Sequence, residues 1–365
     1  MRILQLGKFY PIRGGVEKVM WDLTLGLDAA GIPCDMLCAS LDSGQTIRFP
    51  GGGRVICVKA YRKIAATMIS PAMVSWLRKH QGAYDIIHIH HPDPMAAWAL
   101  YRSGFKGRVV LHWHSDILSQ KGFLKMYEPL QRWLIRRSDV IVGTTPVYLT
   151  DSPWLQDVQA KCTAVPIGVA PITYDPEKAA SIKARFPGKT LLLTIGRLVP
   201  YKGLSYLVDA MKLLPKDFHL VVGGDGPLKR TLQKQIAEAG LSDRITMLGY
   251  VPDDDLSVWY GACDLFVLPS TMKTEAFGIV QIEAMSCGKP VVATRIPGSG
   301  VSWVNKDGVS GINAEPCNPV SLARAITDVA EDRPRLSAGA LKLFQERYTL
   351  DQMIYQIRTI YENLH

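Results

Sequence analysis

The chain has 365 residues, 47% of them hydrophobic and 21% charged, with a formal net charge of +9. That composition excludes a disordered chain, and the length suits about two domains of roughly 100–200 residues, each able to bury its own core. No apolar run approaches the ~18–20 residues that span a bilayer, and the seven scattered cysteines include no C-x-x-C, which argues against a disulfide framework or zinc ribbon.

In chain order, residues 2–6 read as a strand from the outset, with no apolar leader of the secretory kind, so a cytoplasmic chain with reduced thiols is expected. A helix follows over 16–30, with Val16, Val19, Met20, Leu23 and Leu27 on one stripe. Strands are predicted at 33–39, 55–59, 86–90 and 109–112, a helix at 124–136 and a strand at 140–144. Six prolines and glycines punctuate 165–188, and a linker is placed at 171–188. A second series then runs through strands at 191–195, 219–223, 245–248, 265–268, 291–294 and 311–313, with helices at 204–214, 227–239, 278–287 and 319–331. Residues 341–364 read as one last helix, striped by Leu350, Met353, Ile354, Ile357, Ile360 and Tyr361. This repetition of strand and helix implies two doubly wound parallel sheets, at 1–170 and 189–345, with a terminal segment at 346–365. Ligands of such sheets bind beyond the carboxyl ends of the strands.

Charge is uneven along the chain. Residues 1–170 hold 20 Lys and Arg against 12 Asp and Glu, whereas the remainder is nearly balanced. Seven basic residues (Arg48, Arg54, Lys59, Arg62, Lys63, Arg78, Lys79) lie between Asp42 and Asp85 without an acid. Such a patch suits phospholipid, a lipid-linked phosphate or nucleic acid. The stretch lacks the dense aromatic interleaving of a single-strand platform, which places lipid or lipid phosphate first.

Five segments carry chemistry. Gly14-Gly15 opens the first helix, where free N–H groups suit an anion; the surrounding loop is neither a dinucleotide fingerprint nor a Walker loop. Gly196-Arg197 and Lys202-Gly203 follow a strand, and an Arg fork with a Lys charge can hold a diphosphate, each charge-assisted bond being worth about 1.5–3 kcal/mol. Gly224-Asp225-Gly226-Pro227 is a turn in which Asp225 is read as a cap and Pro227 as the first helical residue. Glu275 and Glu283 bracket a helix start, E-x7-E, with Glu283 inside an apolar run. A carboxylate there needs hydrogen-bond donors, which a sugar or ribose supplies, and the N–H groups of Phe277, Gly278 and Ile279 suit a phosphate. His88, His90 and His91 end one strand and His112 and His114 another, followed by Asp116. They read as a polar active-site wall, with a satisfied core histidine as the alternative for His88 and His112 and a zinc site left without a convincing ligand pattern. The triplet Asp253-Asp254-Asp255 reads as a helix N-cap cluster rather than a metal motif.

Taken as an ordered set, Gly14-Gly15, His114 with Asp116, Gly196-Arg197, Lys202-Gly203, the 224–227 turn and Glu275 with Glu283 resemble the family-4 retaining glycosyltransferases, in particular bacterial members that extend O-antigen or exopolysaccharide units. The resemblance implies the GT-B fold: two Rossmann-like doubly wound parallel-sheet domains facing a central cleft, with the last helix crossing back to the N-terminal domain. It implies an acceptor domain at 1–170 and a nucleotide-sugar domain at 189–345. It implies that Arg197 and Lys202 neutralise the donor diphosphate, that Glu275 bonds sugar hydroxyls and that Glu283 takes the ribose. Gly196, Gly224, Tyr250, Val251, Ala276, Phe277, Gly278 and Ile279 would line the donor, and the Gly14-Gly15 loop would close on its phosphates. His114 would sit near the reacting sugar, with His90, His91 and Asp116 toward the acceptor. No metal and no cofactor are expected beyond the donor. The transferred unit is read as a hexosyl whose identity the sequence leaves open, the donor as GDP-mannose first with a UDP-sugar close behind, and the acceptor as a lipid-linked saccharide. No nucleic acid partner is expected. The chain is expected to lie peripherally at the inner face of the cytoplasmic membrane, through Arg62, Lys63, Trp76, Arg78, Lys79, Lys121, Lys125, Arg132 and Trp133. The alternatives are a non-catalytic sugar-nucleotide binder or a different enzyme class, of the epimerase or reductase kind.

Overall fold

Apolar strands alternating with helices build two parallel sheets, one in each of two units. The computed structural model describes residues 1–10, 14–42, 44–64, 67–117 and 121–365, with backbone alone at 9 and 121–124. Unit 1 comprises Met1–Ile167 and Leu350–His365, and unit 2 comprises Gly168–Thr349.

In unit 1 the strands are β1 (Ile3–Phe9), β2 (Cys34–Ser40), β3 (Gln45–Arg48), β4 (Arg54–Lys59), β5 (Arg62–Ile64), β6 (Thr67–Ile69), β7 (Ile86–His91), β8 (Arg108–Trp113), β9 (Val140–Gly143) and β10 (Cys162–Ala164). The main sheet has the order β10-β9-β8-β7-β1-β2-β4-β3, and β5 with β6 forms a separate hairpin. All main-sheet pairs are parallel except β3 with β4. The helices are α1 (Gly15–Ala29), α2 (Pro71–His80), α3 (Pro94–Ser103), α4 (Lys121–Arg137) and α5 (Pro146–Asp151). Ser70 caps α2 by accepting from Met73 N, and Asp93 caps α3 by accepting from Met95 N and Ala96 N. In each, proline follows the cap, where its missing N–H costs nothing.

Unit 2 has β11 (Thr190–Ile195), β12 (Phe218–Gly223), β13 (Ile245–Gly249), β14 (Leu265–Val267), β15 (Val291–Thr294) and β16 (Gly311–Ala314), with α6 (Pro176–Ala184), α7 (Leu204–Leu213), α8 (Lys229–Glu238), α9 (Asp253–Ala262), α10 (Ile279–Ser286), α11 (Val301–Val304), α12 (Pro319–Glu331) and α13 (Arg333–Arg347). Its sheet order is β13-β12-β11-β14-β15-β16 and every pair is parallel. The chain winds outward from β11 to one edge, then returns to build the other half from β14. The point between β11 and β14 is therefore the topological switch, where two loops leave the sheet in opposite directions and open a crevice.

The structure corrects several expectations. The stretch 171–188 is not a bare linker: it carries α6, which packs on α9 within unit 2. The terminal helix is two helices. It breaks after α13 at Tyr348 and Thr349, where Val169 N donates to Tyr348 O at 2.9 Å, and α14 (Leu350–Leu364) then joins unit 1. Residues 346–349 thus stay with unit 2. The triplet Asp253-Asp254-Asp255 forms the first turn of α9 behind Pro252, with no side-chain cap bond; its charges face the positive end of the helix dipole instead. Helix α8 starts at Lys229, two residues after Pro227.

Helix α14 lies against α1, and a Cβ on Gly26 would stand 1.9 Å from Ile354 Cδ1. Gly26 is the notch that seats the helix. Ile354→Ala should empty that notch and lower unit 1 stability by about 2–4 kcal/mol; urea unfolding followed by circular dichroism measures it.

Candidate active site at two sheet ends

In unit 2 the loops after β11, β12 and β14 meet at backbone contact. Gly224 has φ +132°, and a Cβ there would lie 1.9 Å from Gly196 O; one on Gly203 (φ +66°) would lie 2.0 Å from Pro269 O. Only glycine permits both the conformation and the approach. The loops enclose a pocket lined by Gly196, Arg197, Lys202, Gly223, Leu268 and Pro269, at the switch point.

Two predicted residues meet across that switch. Lys202, in the turn after β11, places Nζ 2.5 Å from Glu275 Oε2, in the loop after β14, and both side chains are nearly buried. Ser270 Oγ donates to the same oxygen at 3.0 Å. The Glu275 loop is clamped from behind: Ser299 Oγ donates to Glu275 O at 2.5 Å and Gly300 N to Ala276 O at 2.9 Å. Arg197 stands exposed on the rim. Phe277 is buried edge-on to Tyr348, which fixes the backbone ahead of α10. Gly278 (φ +75°) enters α10 without a side-chain cap, and Ile279 begins it. Glu283 lies one turn further, half-buried, and its Oε2 accepts from Tyr260 Oη at 2.8 Å. Burial and the Glu283 carboxylate push the Tyr260 phenol far above its ordinary pKa, so it remains a donor. Sequence reasoning asked for donors around Glu283 but missed Tyr260, whose only signal is its place in α9. Beyond β13, Tyr250 is exposed and Val251 half-buried, and Gly224 N donates to Gly249 O at 2.6 Å, tying that end to the glycine cluster. Asp225 does not cap α8: its Oδ1 accepts from Gly226 N at 2.7 Å and its Oδ2 from Lys229 Nζ at 3.4 Å.

In unit 1, strand alternation sorts the histidines. His88 and His90 on β7 and His112 on β8 share a face with His114 just beyond, and all four are buried. Their rings stack, His88 to His90 at 4.9 Å and His112 to His114 at 4.0 Å between centroids. His90 Nδ1 lies 2.9 Å from His114 Nε2. His91 falls on the opposite face, stacked on Trp113 at 3.8 Å, with Nε2 3.3 Å from Gln131 Oε1. Asp116 Oδ1 accepts from Trp113 Nε1 at 3.0 Å and from Ser152 Oγ at 2.7 Å. The structure therefore joins His90 with His114 and sets His91 and Asp116 apart from that row. Nitrogens of His90, His112 and His114 come within 4.8 Å of one another. The rings are nearly parallel (9°, 13° and 22° between planes), and His90 Nδ1 with His114 Nε2 face each other rather than a common point.

Gly14 caps α1 in an extended conformation, with Glu17 Oε2 2.6 Å from where a Cβ would be; Gly15 is exposed. Pro11, Ile12 and Arg13 of that loop lie outside the described residues, as does the Lys121 side chain. Sequence reasoning passed over Lys8. It sits at the end of β1 with φ +59°, its N donating to Asp93 Oδ2 at 2.5 Å and its Nζ to Pro92 O at 2.6 Å. Burial lowers its pKa, opposed by Asp93 and Glu17.

Comparison with known proteins fits this geometry. The family model described as "Glycosyl transferases group 1" matches residues 176–340, and "Glycosyl transferase 4-like domain" matches 14–168. The chain is 31% identical to O-antigen chain mannosyltransferase C of Escherichia coli, over 100% of this chain and 99% of that one. It is 30% identical to D-rhamnosyltransferase WbpZ of Pseudomonas aeruginosa, over 89% and 86%. The fold matches Anabaena Alr3699/HepE, solved with UDP, at a TM-score of 0.82 and 22% identity over the whole of both chains. The chain belongs to the group 1 glycosyl transferases, the family-4-like enzymes of the GT-B fold.

Burial holds the histidines neutral. His91 and His112 are pushed down to about 3 by desolvation, and His88, His90 and His114 lie well below the ordinary value for the same reason. Unfolding frees these rings to protonate near pH 6.5. Their contribution to stability is present above pH 6.5 and is lost as pH falls toward 3. Unit 1 should lose stability steeply below about pH 6, and His112→Phe should flatten that slope in urea titrations run across pH.

Proposed function

We propose that the chain is a retaining, metal-independent hexosyltransferase. It moves a sugar from a nucleotide diphosphate to a hydroxyl of a saccharide acceptor, lipid-linked through a diphosphate, in surface polysaccharide synthesis. The observation that carries the reading is the Lys202–Glu275 pair at the switch point. At rest each ion neutralises the other. An incoming diphosphate competes for Lys202, with Arg197 on the rim as its second partner. Glu275, released on one side, then accepts from the sugar hydroxyls. Glu283 takes the ribose, and the open N–H groups ahead of α10 take phosphate oxygens.

Chemistry follows from where charge develops. As the sugar–phosphate bond breaks, the sugar gains oxocarbenium character and the diphosphate gains negative charge. Fixed cations and N–H groups at that point lower the barrier. In front-face attack the departing phosphate oxygen accepts the acceptor's proton, so the anomeric configuration is kept and no protein base is needed. Glu275 is a positioning residue in this scheme, and His114 of unit 1 binds a substrate hydroxyl. The relatives named as a mannosyltransferase and a rhamnosyltransferase support mannose, from GDP-mannose, ahead of UDP-sugars.

For the lipid-linked acceptor, support comes from the basic patch and from a ridge that the sequence did not reveal. Helix α3 packs between α2 and α4. Its Trp98 and Tyr101 are exposed and stacked at 5.7 Å, Arg102 lies over Trp98, and Met126 of α4 is 76% exposed. Arg62, Lys63, Arg78, Lys79, Lys125 and Arg132 are exposed as well, while Trp76 and Trp133 are half-buried. Aromatic rings with arginines beside them suit an anionic bilayer surface. No helix among the described residues is long and apolar enough to cross a membrane.

GDP or UDP should raise the Tm in the presence of EDTA. Lys202→Ala and Glu283→Ala should abolish that shift, and Lys202→Ala should lower kcat about a hundredfold. An inverted anomeric linkage in the product, read by NMR, would overturn retention; a shift requiring divalent metal would overturn metal independence. Vesicles containing phosphatidylglycerol should retain the wild type at low salt and release the Trp98→Ala, Tyr101→Ala double variant. Equal retention of both sinks the docking ridge.

A further inference from the structure

Five side chains of unit 1 form one continuous buried row. Tyr361 Oη of α14 lies 2.5 Å from His88 Nδ1. Gln5 Nε2 on β1 donates to Tyr361 Oη at 3.1 Å, and Gln5 Oε1 lies 2.8 Å from His90 Nε2. His90 Nδ1 then faces His114 Nε2 at 2.9 Å.

We infer that Gln5 and Tyr361 are positioning residues that fix which ring nitrogen of His114 carries the proton. With the Gln5 amide oriented as it is in the structure, the chemistry of each partner leaves one solution. Gln5 turns its amide nitrogen to Tyr361 Oη, with Cys34 Sγ beyond at 3.9 Å, and so turns its oxygen to His90. A carboxamide oxygen only accepts, so His90 Nε2 is the N–H. A neutral imidazole has one N–H, so His90 Nδ1 is a lone pair, and the nitrogen facing it, His114 Nε2, must donate. His114 Nδ1 is therefore a lone pair, left as an acceptor. It accepts from a hydroxyl and cannot donate to a phosphate oxygen. If the Gln5 amide were turned over, every proton in the row would reverse and His114 would present N–H. In the orientation observed, Tyr361 Oη accepts from the Gln5 amide and donates to His88 Nδ1, so α14 completes the row over β1 and β7.

This rests on the glycosyl-transfer reading for its kinetic consequence, not for the tautomer itself. Isotope labelling of histidine ring nitrogens in the full chain, read by long-range nitrogen–proton correlation, reports tautomers without substrate. His90→Gln and His114→Gln assign the signals. The wild type should show both rings as Nε2–H. Gln5→Leu and Tyr361→Phe should give His114 mixed tautomers, and kcat about tenfold lower with the donor KM changed less than about twofold. Gln5→Glu, whose carboxylate accepts from both neighbours, should keep the Nε2–H form and most of kcat. An Nδ1–H His114 in the wild type overturns the inference, as does a folded Gln5→Leu chain with unchanged tautomer and rate. A wild type that transfers no sugar overturns the proposed function instead, and the tautomers still decide the row.

Discussion

The ion pair across the switch between β11 and β14 is the constraint that orders unit 2. Taking a lysine and a carboxylate out of water costs several kcal/mol per ion, and their attraction repays it only when geometry is close and spare valences are filled. Lys202 and Glu275 meet that condition through fixed backbone rather than flexible reach. Gly203 lets the Lys202 turn touch Pro269 O, while Ser299 and Gly300 hold the Glu275 loop from the other side. Ser270, which bonds Glu275, is itself held by Thr294 Oγ1 donating to its carbonyl. Such a pair is a weak source of stability and a strong source of position. It keeps a cation and an anion together at the switch point.

Unit 1 meets the same requirement, polar groups buried at a sheet end, with a row of neutral imidazoles. Parallel strands β7 and β8 run in register with His90 opposite His112, so alternation alone delivers a row of imidazoles to one face. Desolvation keeps them neutral, which removes the cost of buried ions but leaves each ring needing a partner. Gln5 from β1 and Tyr361 from α14 supply two of those partners. His112 has neither ring nitrogen bonded among the described residues, and it is packed by stacking alone. The residues that hold the row in place come from opposite ends of the chain.

Much of this was legible in the sequence. The alternating pattern located the main strands of both sheets, because buried parallel strands are short apolar runs bounded by turns. The segment with the E-x7-E spacing located the Glu275 loop and α10, because Pro269, Gly278, Gly288 and Pro290 punctuate it. Helices α2 and α3 were passed over although Ser70-Pro71 and Asp93-Pro94 announce both caps. The edge strand β3 and the β5–β6 hairpin were missed as well, their residues being largely polar or exposed. The break at Tyr348 could not be read from one helical stripe running into another. What fixes it is tertiary: Val169 captures the Tyr348 carbonyl and Gly26 receives Ile354. Tyr260 and Gln5 were invisible as site residues because their roles depend on partners 23 and 85 residues away.

The two sheet ends differ in a way that bears on recognition. A cationic imidazole would attract any phosphate oxygen. The histidine row of unit 1 is kept uncharged by burial, so its rings act through hydrogen bonds and their direction. The switch point of unit 2 instead gathers Lys202 with Glu275, and Glu283 one turn into α10. In the proposed reaction the first would select by hydroxyl direction and the second by sign. A strong field swamps the few kcal/mol by which a correctly placed hydroxyl is distinguished from a misplaced one. Burial of the imidazoles therefore does more than hold unit 1 together: it keeps the row itself uncharged beside Lys8.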